Sequence, residues 1–430
     1  MGEGGGMVRR KNHPSSDRLP KLTLRSPPPR SARPREIENL AYIAAARPPR
    51  CAPVDFQRPH QPIASALMPA PSHSPALSRL AKCYVVLTFA LILIGGMVTT
   101  SGAGMAFQTW PLSDGSVNPP GWTRDMAKTL EHSHRLVATL VAVVTAVLCC
   151  ALWKNWIALA IGPITGALAG FIASKCGATG ALASVVGMTA NALSFSAVLL
   201  ARNREPKCTE QKLALGAAWL VSLQAILGGL RVLIEAHVSP ESAIVFRVFH
   251  AVVAQAFLAL VVVLAARLSP VWGELGAQSH EKAGKFRRMA VALLGLYFAQ
   301  LACAAYLRHK GIGMLIPTWP TAGANGSLLP IAWNHDIAIH FIHTRILPIL
   351  IAGHVIGMAI GTAKRAAGIP RLVRVGWALL AIVLLQFTLG VMVIWKTRQP
   401  HITNTHVLVG AAFCATAALY FARAGRLRSV

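Results

Sequence analysis

Residues 131–142 read EHSHRLVATLVA, and residues 339–350 read IHFIHTRILPIL. Each stretch sets a histidine, His134 or His343, at the start of an apolar run. Ahead of the first lies GAGMAFQTWPLSDGS (102–116), and ahead of the second GIGMLIPTWPTAGANGS (311–327), so G-x-G-M, T-W-P and a Gly-Ser loop occur twice in the same order. Further on, LQAILGGLRVL (223–233) precedes VFRVFHAVVAQAF (245–257), and LQFTLGVMVIW (385–395) precedes ITNTHVLVGAAF (402–413). The chain is therefore an internal repeat. Apolar runs near 80–100, 130–152, 212–233 and 243–267 form one unit, and runs near 287–307, 336–362, 372–395 and 402–422 form the second. Each run is long enough to cross a hydrocarbon layer of roughly 30 Å as a helix. Four spans per unit give both units the same orientation, a parallel repeat. Two Gly/Ala-rich runs, 156–174 and 180–201, have no counterpart and read as an inserted helical hairpin, since small residues permit close helix packing in lipid. The expected fold is an all-α polytopic membrane protein: two parallel-repeat four-helix bundles plus an extra hairpin, with eight to ten transmembrane helices.

Composition agrees. Of 430 residues 54% are hydrophobic and 13% charged, about half the charged share of a soluble domain. The net charge of +27 invites a nucleic-acid reading, but its placement argues against one. Residues 1–79 hold 13 basic and 5 acidic residues and 14 of the 27 prolines; they read as a disordered basic, Pro-rich extension without aromatic interleaving. This extension lacks the apolar core of a secretory signal, and Met7 and Met68 are alternative starts within it. The remaining basic residues cluster in alternate loops: Arg202, Arg204, Lys207 and Lys212; Lys282, Lys285, Arg287 and Arg288; Lys364, Arg365, Arg371 and Arg374; Arg423, Arg426 and Arg428. The positive-inside rule assigns that side, with both termini, to the cytoplasm, so loops 101–129, 234–242, 308–335 and 396–401 face outward from a cell membrane. The eight cysteines show no metal-ligand spacing and no disulfide framework.

Four histidines recur by position in the repeat: His134, His250, His343 and His406. In each unit one lies on the second helix and one on the fourth, near the outer end. Two imidazoles at equal depth across a bundle core suit axial ligation of a flat haem. A single such histidine is more often a hydrogen-bonded helix-end residue; four at matched places favour the ligand reading. His132, His335, His340, His354 and His401 break the symmetry and keep the ordinary reading. Glu131 lies three residues before His134, on the same helix face, where the second unit has His340. A carboxylate there suits proton transfer or cation stabilisation; a helix-start acid favoured by the dipole is the alternative. Arg135, Arg231, Arg247 and Arg345 fit either pairing with haem propionates or snorkelling at helix ends.

On the G-x-G-M…W-P loops, the E-x-x-H-R of Glu131–Arg135 and the four repeat-placed histidines, residues 80–430 resemble the haem A synthase family. The resemblance implies two membrane four-helix bundles that oxidise the C8 methyl group of haem O to a formyl group by successive hydroxylation, for use in terminal oxidases. It implies that residues 80–267 form the substrate half, with haem O held by His134 and His250 and Glu131 as the catalytic carboxylate. Residues 287–423 would be the second half, with the iron of a haem b cofactor held by His343 and His406. It also implies contact with a haem O synthase. Three departures stand out. Loop 101–129 has no Cys pair, the second unit reads H-T-R where the first reads H-R, and the hairpin 156–201 is extra. The H-T-R spacing argues against Arg345 copying Arg135. The residues alone leave open a bis-His di-haem cytochrome acting only in electron transfer, and a transporter built on parallel repeats.

Overall fold

The computed structural model describes residues 74–202, 205–234, 238–276, 278–323 and 325–429. The extension expected over 1–79 lies outside the described residues up to 73. Among the described residues there are ten long apolar helices, each long enough to span a membrane. They are α1 Pro75–Thr100, α2 Met126–Trp153, α3 Ala158–Lys175, α4 Gly180–Arg202, α5 Thr209–Ile234, α6 Pro240–Arg267, α7 Ala283–Lys310, α8 His335–Arg365, α9 Pro370–Trp395 and α10 Pro400–Arg426. Their number, length and apolar character make this a multi-pass membrane protein.

All ten expected spans are present, and several begin up to a turn before the apolar run does. The extra residues come from caps. Ser74, Asp125, Ser239 and Asn334 each accept a backbone N–H from the first turn of α1, α2, α6 and α8, at 3.3, 3.0, 3.2 and 2.8 Å. Proline stands in the first turn of α1, α6, α9 and α10, where its missing N–H leaves no intrahelical bond unmade. Helix α1 accordingly begins at Pro75, and the helices of the second unit run from Ala283 to Arg426.

Helices α1, α2, α5 and α6 close into one ring of neighbours, and α7, α8, α9 and α10 into another. Each ring has its own core: Tyr84, Val141, Leu148 and Phe257 in the first, Phe286, Leu293, Val355 and Phe413 in the second. The seam joins α6 to α10 through Leu258, Val262, Ala411, Ala415 and Ala418, small residues on α10 allowing close approach. The hairpin packs mainly on itself. A Cβ on Gly166 would stand 2.7 Å from the Gly187 carbonyl oxygen, and one on Gly187 2.8 Å from that of Gly166, so only glycine permits this crossing. Leu199, fully buried, and the Asn155 amide, donating to the Val198 carbonyl at 2.8 Å, attach the hairpin to the first ring. Its far face carries Ile164, Leu168, Phe171 and Leu193, exposed as lipid-facing residues are. The junction between the rings is strapped by the chain's end: His280 donates its backbone N–H to the Arg428 carbonyl at 3.0 Å, and Arg428 donates to that of Gln278 at 3.2 Å.

Candidate functional site

Loops 101–125 and 311–334 lie at the same end of their rings. Each contains a cis peptide before its T-W-P proline, Trp110–Pro111 and Trp319–Pro320. In the first ring the Arg135 guanidinium donates to the carbonyls of Thr109 at 2.7 Å and Phe107 at 3.2 Å. In the second, Arg345 donates to those of Thr318 at 2.6 Å and Thr321 at 2.7 Å. Thr109 and Thr318 are the same position of the repeat. The expectation that the extra residue of H-T-R would disturb this correspondence is not met, and the local backbone explains why. Residues 342–346 of α8 form a π turn, which holds one residue more than the α-helix it interrupts. Thr344 is that residue. Pro348 contributes as well, because it has no N–H to give the Thr344 carbonyl four residues back. With the insertion absorbed, Arg345 reaches the same loop carbonyl as Arg135.

The four repeat histidines sit within about three turns of the starts of α2, α6, α8 and α10. Each is backed by matched residues. Gly228 on α5 faces the edge of the His250 ring, a Cβ there falling 3.7 Å from Cε1; its repeat counterpart Gly390 on α9 faces His406 at 3.2 Å. Gln224 donates its amide to the His250 carbonyl at 2.9 Å, while its counterpart Gln386 stands 3.3 Å from His406 Nε2. On the second helices, His134 packs so closely on α1 that a Cβ on Gly95 would fall 2.9 Å from its Cε1. Gln300 on α7 bonds the His343 carbonyl at 2.9 Å. His343 and His406 line one mainly apolar cavity inside the second ring, with Gln300, Gln386, Phe387 and Phe413 among its walls. In the first ring His250 lies within electrostatic reach of His134 and Arg231.

The four rings share another property: Nδ1 of His134, His250, His343 and His406 is buried with no hydrogen-bond partner, as is that of His340. Buried polar atoms are usually satisfied, so five orphans concentrated here call for a bound group or a role as ligand. Among the described residues no three His, Cys, Asp or Glu side chains gather as a cage for a bare metal ion. Two imidazoles per ring instead suit a metal whose remaining ligands come from a macrocycle.

Glu131 is 4% exposed and fully engaged. One carboxylate oxygen accepts the Phe107 N–H at 3.0 Å, the other pairs with Arg135, and Arg231 is an electrostatic neighbour. Arg231 in turn presses on Gly104 of the first loop, where a Cβ would fall 2.5 Å from its Nη2. His340 occupies the Glu131 position of the second ring and places Nε2 3.1 Å from the Gly313 carbonyl oxygen. Two of the histidines given an ordinary reading have ordinary partners: His132 bonds Ser113 at 2.9 Å, and His354 the Met289 carbonyl at 2.9 Å. Asp336 is held by Tyr306 and Lys310, both at 2.7 Å. The backing residues were missed as functional, although the repeated L-Q-x-x-x-G of 223–228 and 385–390 already displayed them. Arg308 was missed too; it borders the second cavity from the end of α7.

Against known families, residues 56–188 and 180–418 match the COX15-CtaA model, described as cytochrome oxidase assembly protein. The chain belongs to that family. The cytochrome oxidase assembly match takes in Glu131 and His134 in its first segment and His250, His343 and His406 in its second, and the segments meet inside the hairpin. The chain is also similar to curated proteins named haem A synthase. The one from Brucella anthropi is 33% identical over 89 residues, covering 19% of this chain and 25% of that protein. The one from Chelativorans sp. is 39% identical over 82 residues, covering 16% and 23%. The aligned segments thus span about a quarter of these relatives' length.

Proposed function

We propose that the chain is a haem A synthase that oxidises the C8 methyl group of haem O to a formyl group. One observation carries this reading: on a symmetric histidine frame the first ring sets a buried carboxylate, Glu131, where the second has His340. The family and the names of the similar proteins support it. The overall change is R–CH3 + H2O → R–CHO + 4 H+ + 4 e−, by way of an alcohol and a geminal diol that loses water. The four electrons leave to an acceptor.

In this reading His134 and His250 hold substrate haem O between α2 and α6, and the Gly95 and Gly228 surfaces fix the ring planes of the two imidazoles. Glu131 accepts protons released at the methyl carbon, and the Phe107 N–H and Arg135 hold its carboxylate in place. Arg135 and Arg345 keep the T-W-P loops over the rings and limit water. The second ring fits a haem b cofactor, with His343 and His406 as its iron ligands in an apolar cavity. That group supplies one-electron transfer when bound. The positive-inside rule applied to the basic loops supports cytoplasmic termini and T-W-P loops on the outer side. Receipt of haem O from its synthase through the lipid-facing surface fits the substrate's apolar tail.

Expression in cells that make haem O, followed by pigment extraction, tests the proposal: haem A should accumulate, and none above background refutes it. The engagement of Glu131 by Phe107 and Arg135 also fits a second reading, in which Glu131 only braces the loop and the protein is a di-haem electron carrier. Glu131→Gln separates the two.

A further inference from the structure

Arg308, near the end of α7, belongs to the second ring by sequence but bonds to the first. Its Nη2 donates to the Gly96 carbonyl at 2.7 Å and to Thr100 Oγ1 at 2.5 Å, both on α1. Thr100 Oγ1 in turn donates to Asn404 Oδ1 on α10 at 2.7 Å. The four residues form a clamp across the two rings, and both of its ends lie beside candidate ligands. Gly95, next to the bonded Gly96, is the surface on which the His134 ring rests at a would-be Cβ distance of 2.9 Å. Asn404 is two residues before His406 on the same helix turn. Arg308 itself borders the cavity of His343 and His406. Whatever fills that cavity therefore meets the guanidinium that holds the α1 backbone behind His134.

Three features mark this as more than a helix-end cation. A snorkelling arginine turns to water or headgroups, whereas Arg308 is half-buried and gives its donors to a backbone carbonyl and a hydroxyl of another helix. A guanidinium at membrane depth is costly unless its donors are met, so such placement marks a specific contact. And the clamp is asymmetric: Thr99 occupies the Arg308 position of the first ring, so no reciprocal arginine reaches from α1 to α7.

We propose that Arg308 is a positioning residue that sets the geometry of the His134–His250 pair from the second ring, through Gly96 and Thr100 on α1. This rests on the reading of the histidine pairs as haem ligands. It adds that the two pairs are mechanically linked through this contact.

The test uses the purified full-length protein and its Arg308→Gln, Arg308→Lys and Asn404→Leu variants, titrated with hemin. The low-spin electron paramagnetic resonance signals of the two sites are assigned by their loss in His250→Ala and His406→Ala. In Arg308→Gln the signal belonging to the His134–His250 pair should shift and hemin uptake there should fall several-fold. Arg308→Lys should restore part of it, and Asn404→Leu should move the same signal less. If that signal is unchanged in Arg308→Gln and Asn404→Leu, the proposal is overturned. Deuterium exchange of the haem-free proteins gives a second readout: backbone amides of residues 95–101 should exchange several-fold faster in Arg308→Gln, and unchanged exchange overturns the clamp. Should the wild-type protein take up no hemin at either pair, the haem reading fails on its own, and the exchange measurement still decides the role of Arg308.

Discussion

Glu131 and His340 occupy the same place in the two rings but answer to different partners. The carboxylate of Glu131 meets Phe107 N–H, Arg135 and the field of Arg231, while His340 meets one carbonyl, that of Gly313. If Glu131 moves protons, Glu131→Gln should lower haem A formation by about 100-fold or more, within the usual range for a lost general base. Bound haem should stay near the wild-type amount, since the amide oxygen can still accept from Phe107. If Glu131 is only a brace, the variant keeps its activity; pigment analysis with haem quantification tells these apart. Gly95 makes a second residue-level case. An added methyl must displace the His134 ring, so Gly95→Ala should weaken haem uptake at the first pair and destabilise the protein by about 1–3 kcal/mol, the cost of overpacking. Hemin titration and the thermal midpoint measure both. The histidines were legible in the sequence because they repeat. Arg308 was not, because it has no counterpart, and a basic residue ending an apolar helix looks like any snorkelling cation.

Among the elements, α8 departs furthest from a regular helix, and its π turn accounts for the spacing that looked like a break in the repeat. Deleting Thr344 should convert residues 342–346 to α-helix. The π turn holds that one extra residue, so its loss leaves the flanking segments in the phase that His134 and Arg135 have on α2. His343 should then stay beside the cavity and Arg345 on the Thr318 carbonyl. The expected outcome is that both signals are kept. Loss of the signal assigned to His343 and His406 would mean that the π turn itself, beyond absorbing a residue, places that pair. The helices themselves were readable as spans because apolar length decides them. Their ends were readable only in part: Ser74, Asp125, Ser239 and Asn334 are polar and fall outside any apolar window, yet each adds the first turn by accepting an N–H.

For the molecule as a whole, the hairpin α3–α4 tests how far the two rings depend on anything beyond themselves. The end of α2 already meets the start of α5, with Cys149 Sγ donating to the Ala214 carbonyl at 3.1 Å and Gln211 to that of Leu152 at 3.0 Å. Replacing residues 156–201 by a short linker should therefore leave both haem signals in place. It should also lower the thermal midpoint, because Trp153 and the rest of the first ring's core lose Ala158, Phe195 and Leu199 from the same buried cluster. Loss of haem from the first pair would instead give the hairpin a part in the site. The repeat made the two-ring plan legible from sequence, while the seam through Ala411, Ala415 and Ala418 was not, since small apolar residues look alike whether they face lipid or a partner helix. Helix α8 also shows how the repeat accommodates a change of length. From Gly102 to Glu131 and from Gly311 to His340 the two halves are equally long, and Thr344 is one residue that the first half lacks between its histidine and arginine. A helix thus stores a single additional residue as a π turn and leaves the arginine on its loop carbonyl in both halves.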